Sequence, residues 1–337
     1  RHAHTGRLLL GAADLQCPAL QGQPGWPAAH HERVRCLHGT ARVPAGAALG
    51  LPGQRSVTAV ASSVQGQHAD WLVPDWPAPP GVHALCTARA GGVSHAPYDE
   101  LNLGAHVGDD PQAVAANRQI VQSALQSTTP GARAVFLNQV HGDGVALLDA
   151  GTPDGTEADA CVASAPGAVC TIMVADCLPV LLAHRSGQVV AAAHAGWRGL
   201  AGHAGQGVLE SVFKRFCHEA LVHHASAAIK NAAMAPGSPY ASEVAAHTVA
   251  WLGPCIGPTA FEVGAEVRAA FCDAPGALGA AAAQCFVARP DAPGKYLCDL
   301  AGLARLRLRA MGITAIYGND STAPWCTVTQ ASRFFSH

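Results

Sequence analysis

Cys177 and His194 are the first residues whose types and spacing suggest chemistry. Two apolar runs, Leu178–Ala183 and Gln188–His194, are joined by His184-Arg185-Ser186-Gly187, a polar segment ending in glycine. This pattern predicts two strands and a turn. If the strands pair about a turn centred between Arg185 and Ser186, facing residues have numbers that sum to 371, and Cys177 faces His194. Opposed β-carbons in an antiparallel pair lie about 4.5–5.5 Å apart. A zinc ion, with sulfur at about 2.3 Å and nitrogen at about 2.0–2.1 Å, bridges side chains so placed. His141 is the best third ligand, because it ends a strand, in Asn138-Gln139-Val140-His141, beside the turn Gly142-Asp143-Gly144. Two histidines and one cysteine leave the fourth tetrahedral position for water, phosphate or substrate. Asp176 adjoins Cys177, where a carboxylate can orient a ligand or act as a general base. Without a metal, Cys177 and His194 would instead suit a thiolate–imidazole nucleophile pair.

Downstream of His194, Gly196, Gly199, Gly202, Gly205 and Gly207 crowd the approach to a helix, with Trp197 and Arg198 among them. Small residues let backbone approach an anion at a helix start; they equally permit a tight turn and close helix–sheet packing. Arg89, between a strand and Gly91-Gly92, suits either an anion contact or an ordinary surface position.

The elements that must position these residues are read from periodicity. Strands are expected at Val82–Thr87, Ala134–Val140, Val145–Ala150, Val169–Ala175, Val249–Cys255 and Ala315–Tyr317. The Asp-Gly step at Asp143-Gly144 marks a hairpin between the second and third of these. Helices are expected at Asp110–Gln126, Ala204–His218, Gly264–Cys272 and Asp299–Met311, the first capped by Asp109 or Asp110 with Pro111 in its first turn. Residues 225–247 resemble an inserted loop, and Ala277–Ala283 is low in complexity. Residues 1–68 hold only two acids, Asp14 and Glu32, and read as a poorly ordered extension outside the fold. Strands mixed with helices, without steady βαβ alternation, favour an α+β fold or a layered sandwich.

Composition narrows the function classes. Of 337 residues 49% are hydrophobic and 13% charged, with a net charge of -2. Disorder needs the opposite balance, and there is no basic excess for nucleic acid. No run approaches the roughly 20 apolar residues of a bilayer span. The chain has 12 cysteines and 18 histidines, yet no two cysteines are three apart. Zinc ribbons and thioredoxin-type motifs are therefore excluded, and a reducing cytoplasm is the expected location.

Arg89–Ser94, Tyr98–Asp109, Asn117-Arg118, Gln139–Gly142, Ala175–Val180, Ala193–Gly199, Leu252–Pro258, Phe261–Gly264, Lys295–Leu300 and Cys326–Ser336 follow one another in order. Together they resemble the YfiH-like laccase-domain family, also called the multifunctional purine nucleoside phosphorylase or peptidoglycan editing factor family. The likeness covers about 69–337, as one catalytic domain. It implies an α/β/β/α layered sandwich with mixed sheets, and one Zn2+ on His141, Cys177 and His194. It further implies phosphorolysis of purine nucleosides (adenosine, inosine, guanosine, methylthioadenosine) and adenosine deamination. On this reading the partners are nucleosides and phosphate, with neither nucleic acid nor membrane. Asp176 is then a candidate proton carrier, and Arg89, Asn102, Gly196 and Arg198 are candidate contacts to phosphate or ribose. Two alternatives remain. One is a Cu2+-dependent phenol oxidase, although the only His-x-His is His2-Ala3-His4. The other is a Cys177/His194 hydrolase acting on peptidoglycan precursors.

Overall fold

In the computed structural model the described residues are 7–12, 68, 70–222, 238–273 and 277–337. One sheet runs β2 (Val82–Cys86), β1 (Arg7–Ala12), β6 (Ala168–Met173), β3 (Arg133–Phe136), with every pairing parallel. A second sheet has six strands: β13 (Ala315–Gly318), β9 (Thr248–Leu252), β7 (Leu178–His184), β8 (Val190–Ala195), β5 (Ala160–Ala163) and β4 (Val145–Leu148). Its inner pairings are antiparallel and its two edge pairings parallel. A small antiparallel sheet joins β10 (Glu262–Gly264), β12 (Lys295–Cys298) and β11 (Phe286–Ala288).

The apolar runs lack polar alternation because their strands are buried on both faces. In β6, Ala168, Cys170 and Ile172 meet Leu181, Ala183, Val190 and Ala192 of the second sheet. Val169 and Met173 point the other way, against Val121, Ala124 and Leu125 of helix α1 (Pro111–Thr128). On the far face of the second sheet, Val180, Leu182, Ala191 and Ala193 pack with Leu209, Val212 and Phe216. Those last three belong to helix α3 (Val208–Val222), which follows the short helix α2 (Trp197–Ala201). Helix, sheet, sheet and helix thus form the expected α/β/β/α sandwich. Helices α4 (Pro239–Ala246), α5 (Ala265–Cys272), α6 (Ala277–Ala282) and α7 (Leu300–Ala310) complete the set described.

Several expectations need correction. The β7–β8 register pairs Pro179 with His194 and Val180 with Ala193, so paired numbers sum to 373 rather than 371. His184 extends β7, which moves the turn by one residue. The Asp143-Gly144 step does not make a hairpin: β3 pairs with β6 in the first sheet, whereas β4 pairs with β5 in the second. Helix α3 starts at Val208, because the preceding residues form a tight reversal with Ala204 at φ 50° and an antiparallel bridge from His203 to Gln206. The expected inserted loop contains α4, capped by Ser238, while 223–237 lie outside the described residues. The low-complexity stretch is helical over Ala277–Ala282. The segment 1–68, expected outside the fold, contributes β1 to the first sheet; 1–6 and 13–67 lie outside the described residues. Asp110, not Asp109, caps α1, accepting a hydrogen bond from the Gln112 N–H.

Candidate metal centre

Two connections and the end of one strand meet at one rim of the layer between the two sheets. His141 follows β3, Cys177 lies just before β7, and His194 is in β8. Their ligand atoms lie within 4.8 Å of one another, the only such group of three or more His, Cys, Asp or Glu among the described residues. Cys177 Sγ is 3.7 Å from His141 Nε2. The two imidazole rings meet edge to face at 4.6 Å. Tetrahedral zinc with the usual bond lengths holds sulfur and nitrogen about 3.5 Å apart, close to the Cys177–His141 spacing. The donor set, one soft thiolate and two imidazoles, also suits zinc or copper better than a hard cation. The residues present fit such an ion.

Local backbone explains how the groups converge. His141 and Asp176 adopt positive φ, 61° and 74°, so each chain turns sharply at the rim. The Gln139 amide ties the two loops together: its Nε2 donates to Met173 O at 2.7 Å, and its Oε1 accepts from Met173 N at 2.9 Å. A β-carbon on Gly196 would lie 2.8 Å from Cys177 Sγ and 2.9 Å from His141 Cδ2. Glycine at this position therefore leaves room for the cluster. Gly199 meets Gly142 O, Gly202 meets the Gln206 and Gly207 backbone, and Gly207 meets the Gly199 and Leu200 carbonyls of α2. Close packing, not a phosphate cradle, accounts for those three.

Asp159 is the neighbour that sequence reading missed. It enters the apolar run Ala158–Ala163 as a lone carboxylate, the one signal that could have found it. Fully buried, it accepts from His194 Nδ1 at 2.8 Å and from the N–H groups of His141 and Gly142 at 2.8 and 2.7 Å. Burial raises its pKa, but the bonds and charge of His194 and the backbone donors hold it below the usual carboxylate value. Burial likewise pushes the Cys177 thiol up, yet the charge of His194 and hydrogen bonds from both histidines bring it down to about 6. His194, which burial would lower, is raised to about 9 by the Cys177 thiolate and Asp159.

The other candidates are placed as follows. The Asp176 carboxylate accepts from Thr327 Oγ1 at 2.5 Å, Ser336 Oγ at 2.8 Å and His337 N at 2.9 Å, so it clasps the C-terminal residues beside Cys177. Arg89 pairs with Asp99 and lies over the Phe335 ring at 4.9 Å. Asn102 is buried, bonded to Gly104 and Asp109 within its own loop. Arg198 is exposed and stacks on Trp197 at 4.6 Å.

Comparison with known proteins gives a consistent picture. The family described as multi-copper polyphenol oxidoreductase laccase matches residues 83–337. A Pseudomonas aeruginosa protein named purine nucleoside phosphorylase is 45% identical over 267 residues, covering 79% of this chain and 92% of that one. The Escherichia coli purine nucleoside phosphorylase YfiH is 42% identical over 266 residues, with coverage of 79% and 92%. A crystal structure of a Neisseria meningitidis protein superposes with a TM-score of 0.60 at 41% identity, covering 79% of this chain and 92% of the other. The chain belongs to the YfiH-type laccase-domain family.

Proposed function

We propose that this chain is a zinc-dependent purine nucleoside phosphorylase that also deaminates adenosine, with adenosine, inosine, guanosine and methylthioadenosine as substrates. The observation that carries this reading is the His141–Cys177–His194 cluster, in a chain 42–45% identical to proteins named purine nucleoside phosphorylase. Bound zinc supplies a Lewis-acid position at which phosphate or water is polarised for attack on the ribose anomeric carbon or on adenine C6.

The chain's own residues do the rest. His141, Cys177 and His194 hold the ion; Gly196 keeps their side free of a β-carbon. Arg89 and Arg198 supply positive charge for phosphate. Asn102 supports the ribose side through its loop rather than by direct contact, since its side chain is already hydrogen-bonded. By its place next to Cys177, Asp176 is the candidate proton carrier. With three donors on its carboxylate, its part in this proposal is to hold the C-terminal residues against the Cys177 loop. A cytoplasmic location agrees with ten free cysteines among the described residues.

Two observations favour other readings. The family's description favours copper, and a two-histidine, one-cysteine set accepts it. The lowered Cys177 pKa beside an imidazolium favours a thiol nucleophile, the chemistry that the alternative Cys177/His194 hydrolase needs. One experiment separates them: metal analysis of the purified chain, with chromatography of adenosine and phosphate digests of wild type and Cys177→Ala. The expected result is about one zinc per chain, release of adenine and hypoxanthine by wild type, and none after chelation. Copper as the bound metal, or activity that survives chelation, selects an alternative. An active Cys177→Ala protein refutes the mechanism.

A further inference from the structure

We infer that Asp159 is the positioning residue of the metal centre, with one buried carboxylate fixing both histidine ligands by different means. The inference rests on reading the trio as a metal centre. It goes further by assigning who sets the geometry.

Its bond to His194 acts on the ring. Asp159 Oδ1 accepts from His194 Nδ1 at 2.8 Å, and the Asp159 carbonyl accepts from His194 N at 2.7 Å. With Nδ1–H held there, the Nε2 lone pair is the one directed at the ion. Its bonds to the His141 loop act on the backbone. Val140 N, His141 N and Gly142 N donate to the same carboxylate at 3.2, 2.8 and 2.7 Å. Three successive N–H groups converging on one anion form a nest. That nest holds His141 at φ 61°, a conformation that a non-glycine residue keeps only when its surroundings impose it. The two oxygens thus receive four donors, which matches a carboxylate's capacity and explains why a fully buried charge is tolerated here.

Substitution by asparagine separates the roles of charge and shape. The amide of Asp159→Asn keeps one oxygen but turns an NH2 toward N–H groups, so either His194 or the His141 loop loses its acceptor. Loss of an outer-shell partner weakens metal binding about 10–100-fold.

The test uses the full chain, wild type and Asp159→Asn, each stripped and titrated with Zn2+ against a chromophoric chelator. Wild type is expected to bind, and the variant to bind at least tenfold more weakly. A folded variant with zinc affinity within twofold of wild type overturns the inference. Amide exchange at His141 and Gly142, followed by NMR on the metal-free protein, gives a readout independent of the metal. Slowed exchange in wild type is expected, accelerated at least tenfold in the variant. Unprotected amides in wild type overturn the inference even if the variant does not fold. A wild type that binds no zinc but shows protected amides, lost in Asp159→Asn, refutes the metal reading and leaves Asp159's positioning role standing.

Discussion

Gly196→Ala tests the site with a single methyl group. Gly196 has φ -68°, ordinary for alanine, so the backbone accepts the change without strain. The added β-carbon would sit 2.8 Å from Cys177 Sγ and 2.9 Å from His141 Cδ2. Comfortable contacts between such atoms lie at about 3.5–4.0 Å, so each neighbour must move by about 0.6–1.2 Å. Metal–ligand distances tolerate only about 0.2 Å. Two of three ligands would therefore leave their positions by several times the tolerance. We expect zinc affinity to fall by at least about 100-fold, or about 2.8 kcal/mol at 1.4 kcal/mol per tenfold. Overpacking should cost the fold itself no more than about 1–3 kcal/mol, leaving a folded protein to assay. Gly144→Ala is the matched control: it lies in the His141 loop, yet its β-carbon would meet Ala158 Cα at an ordinary 3.7 Å. The assay is zinc competition titration with thermal unfolding on both variants. If Gly196→Ala binds zinc within twofold of wild type, the ion is not held by Cys177 and His141 beside Gly196.

Asp176→Asn should lower the thermal midpoint while zinc stoichiometry stays at the wild-type level, because the carboxylate holds Thr327, Ser336 and His337. A loss of kcat above 100-fold at unchanged stability would instead restore Asp176 as the proton carrier. In metal-free protein, the Cys177 thiolate absorbance should titrate near pH 6 rather than 9 and be absent in Cys177→Ala. The sign for stability follows from linkage. The Cys177 contribution is complete above its unfolded pKa of 9.0 and lost as pH falls through about 6; that of His194 is complete below 6.5 and lost as pH rises through about 9. Between about 6.5 and 9 the two trends oppose each other and nearly cancel, so the pair should leave metal-free stability almost independent of pH there, and a slope of about 1.4 kcal/mol per pH unit across that window, absent in Cys177→Ala, would contradict the pairing. Arg307→Leu should cost about 3 kcal/mol in chemical denaturation, since the buried guanidinium bonds Leu200 O, Ala201 O and Glu210. A change below 0.5 kcal/mol would show that these contacts do not hold the end of α2.

The closeness of Cys177 and His194 was legible because side-chain alternation has period two. The expected register missed by a shift of two in the paired sum, which leaves every residue on its face. Cys177 became a diagonal neighbour of His194 instead of a direct one, still within reach. An odd shift would have separated them. The false hairpin at Asp143-Gly144 has the opposite lesson: a turn signal is local and says nothing of which sheet each flanking strand joins. Arg7–Ala12 was unreadable for a related reason, since its partners Val82–Cys86 and Ala168–Met173 are remote in sequence. Asp159 was missed because its role depends on backbone N–H groups 17–19 residues away, which no side-chain pattern reports.

The rim position of the cluster follows from how the chain passes between layers. His141 lies on the path from β3, in the first sheet, to β4, in the second. Cys177 lies on the path from β6 to β7, again from first sheet to second. His194 belongs to the second sheet itself. An ion held by all three would therefore join both crossings to a fixed strand, and the packing between sheets would set its geometry. Gln139 already links the crossings, and Asp159, at the entry to β5, links His141 to His194. Residues from two connections and one strand come into register only when the interior formed by Ile172, Leu181, Val190 and their neighbours is packed. Metal binding and closure of that interior would thus be coupled: an ion that binds the folded state alone stabilises it by RT ln(1 + [L]/Kd), about 2.7 kcal/mol at 100 times Kd.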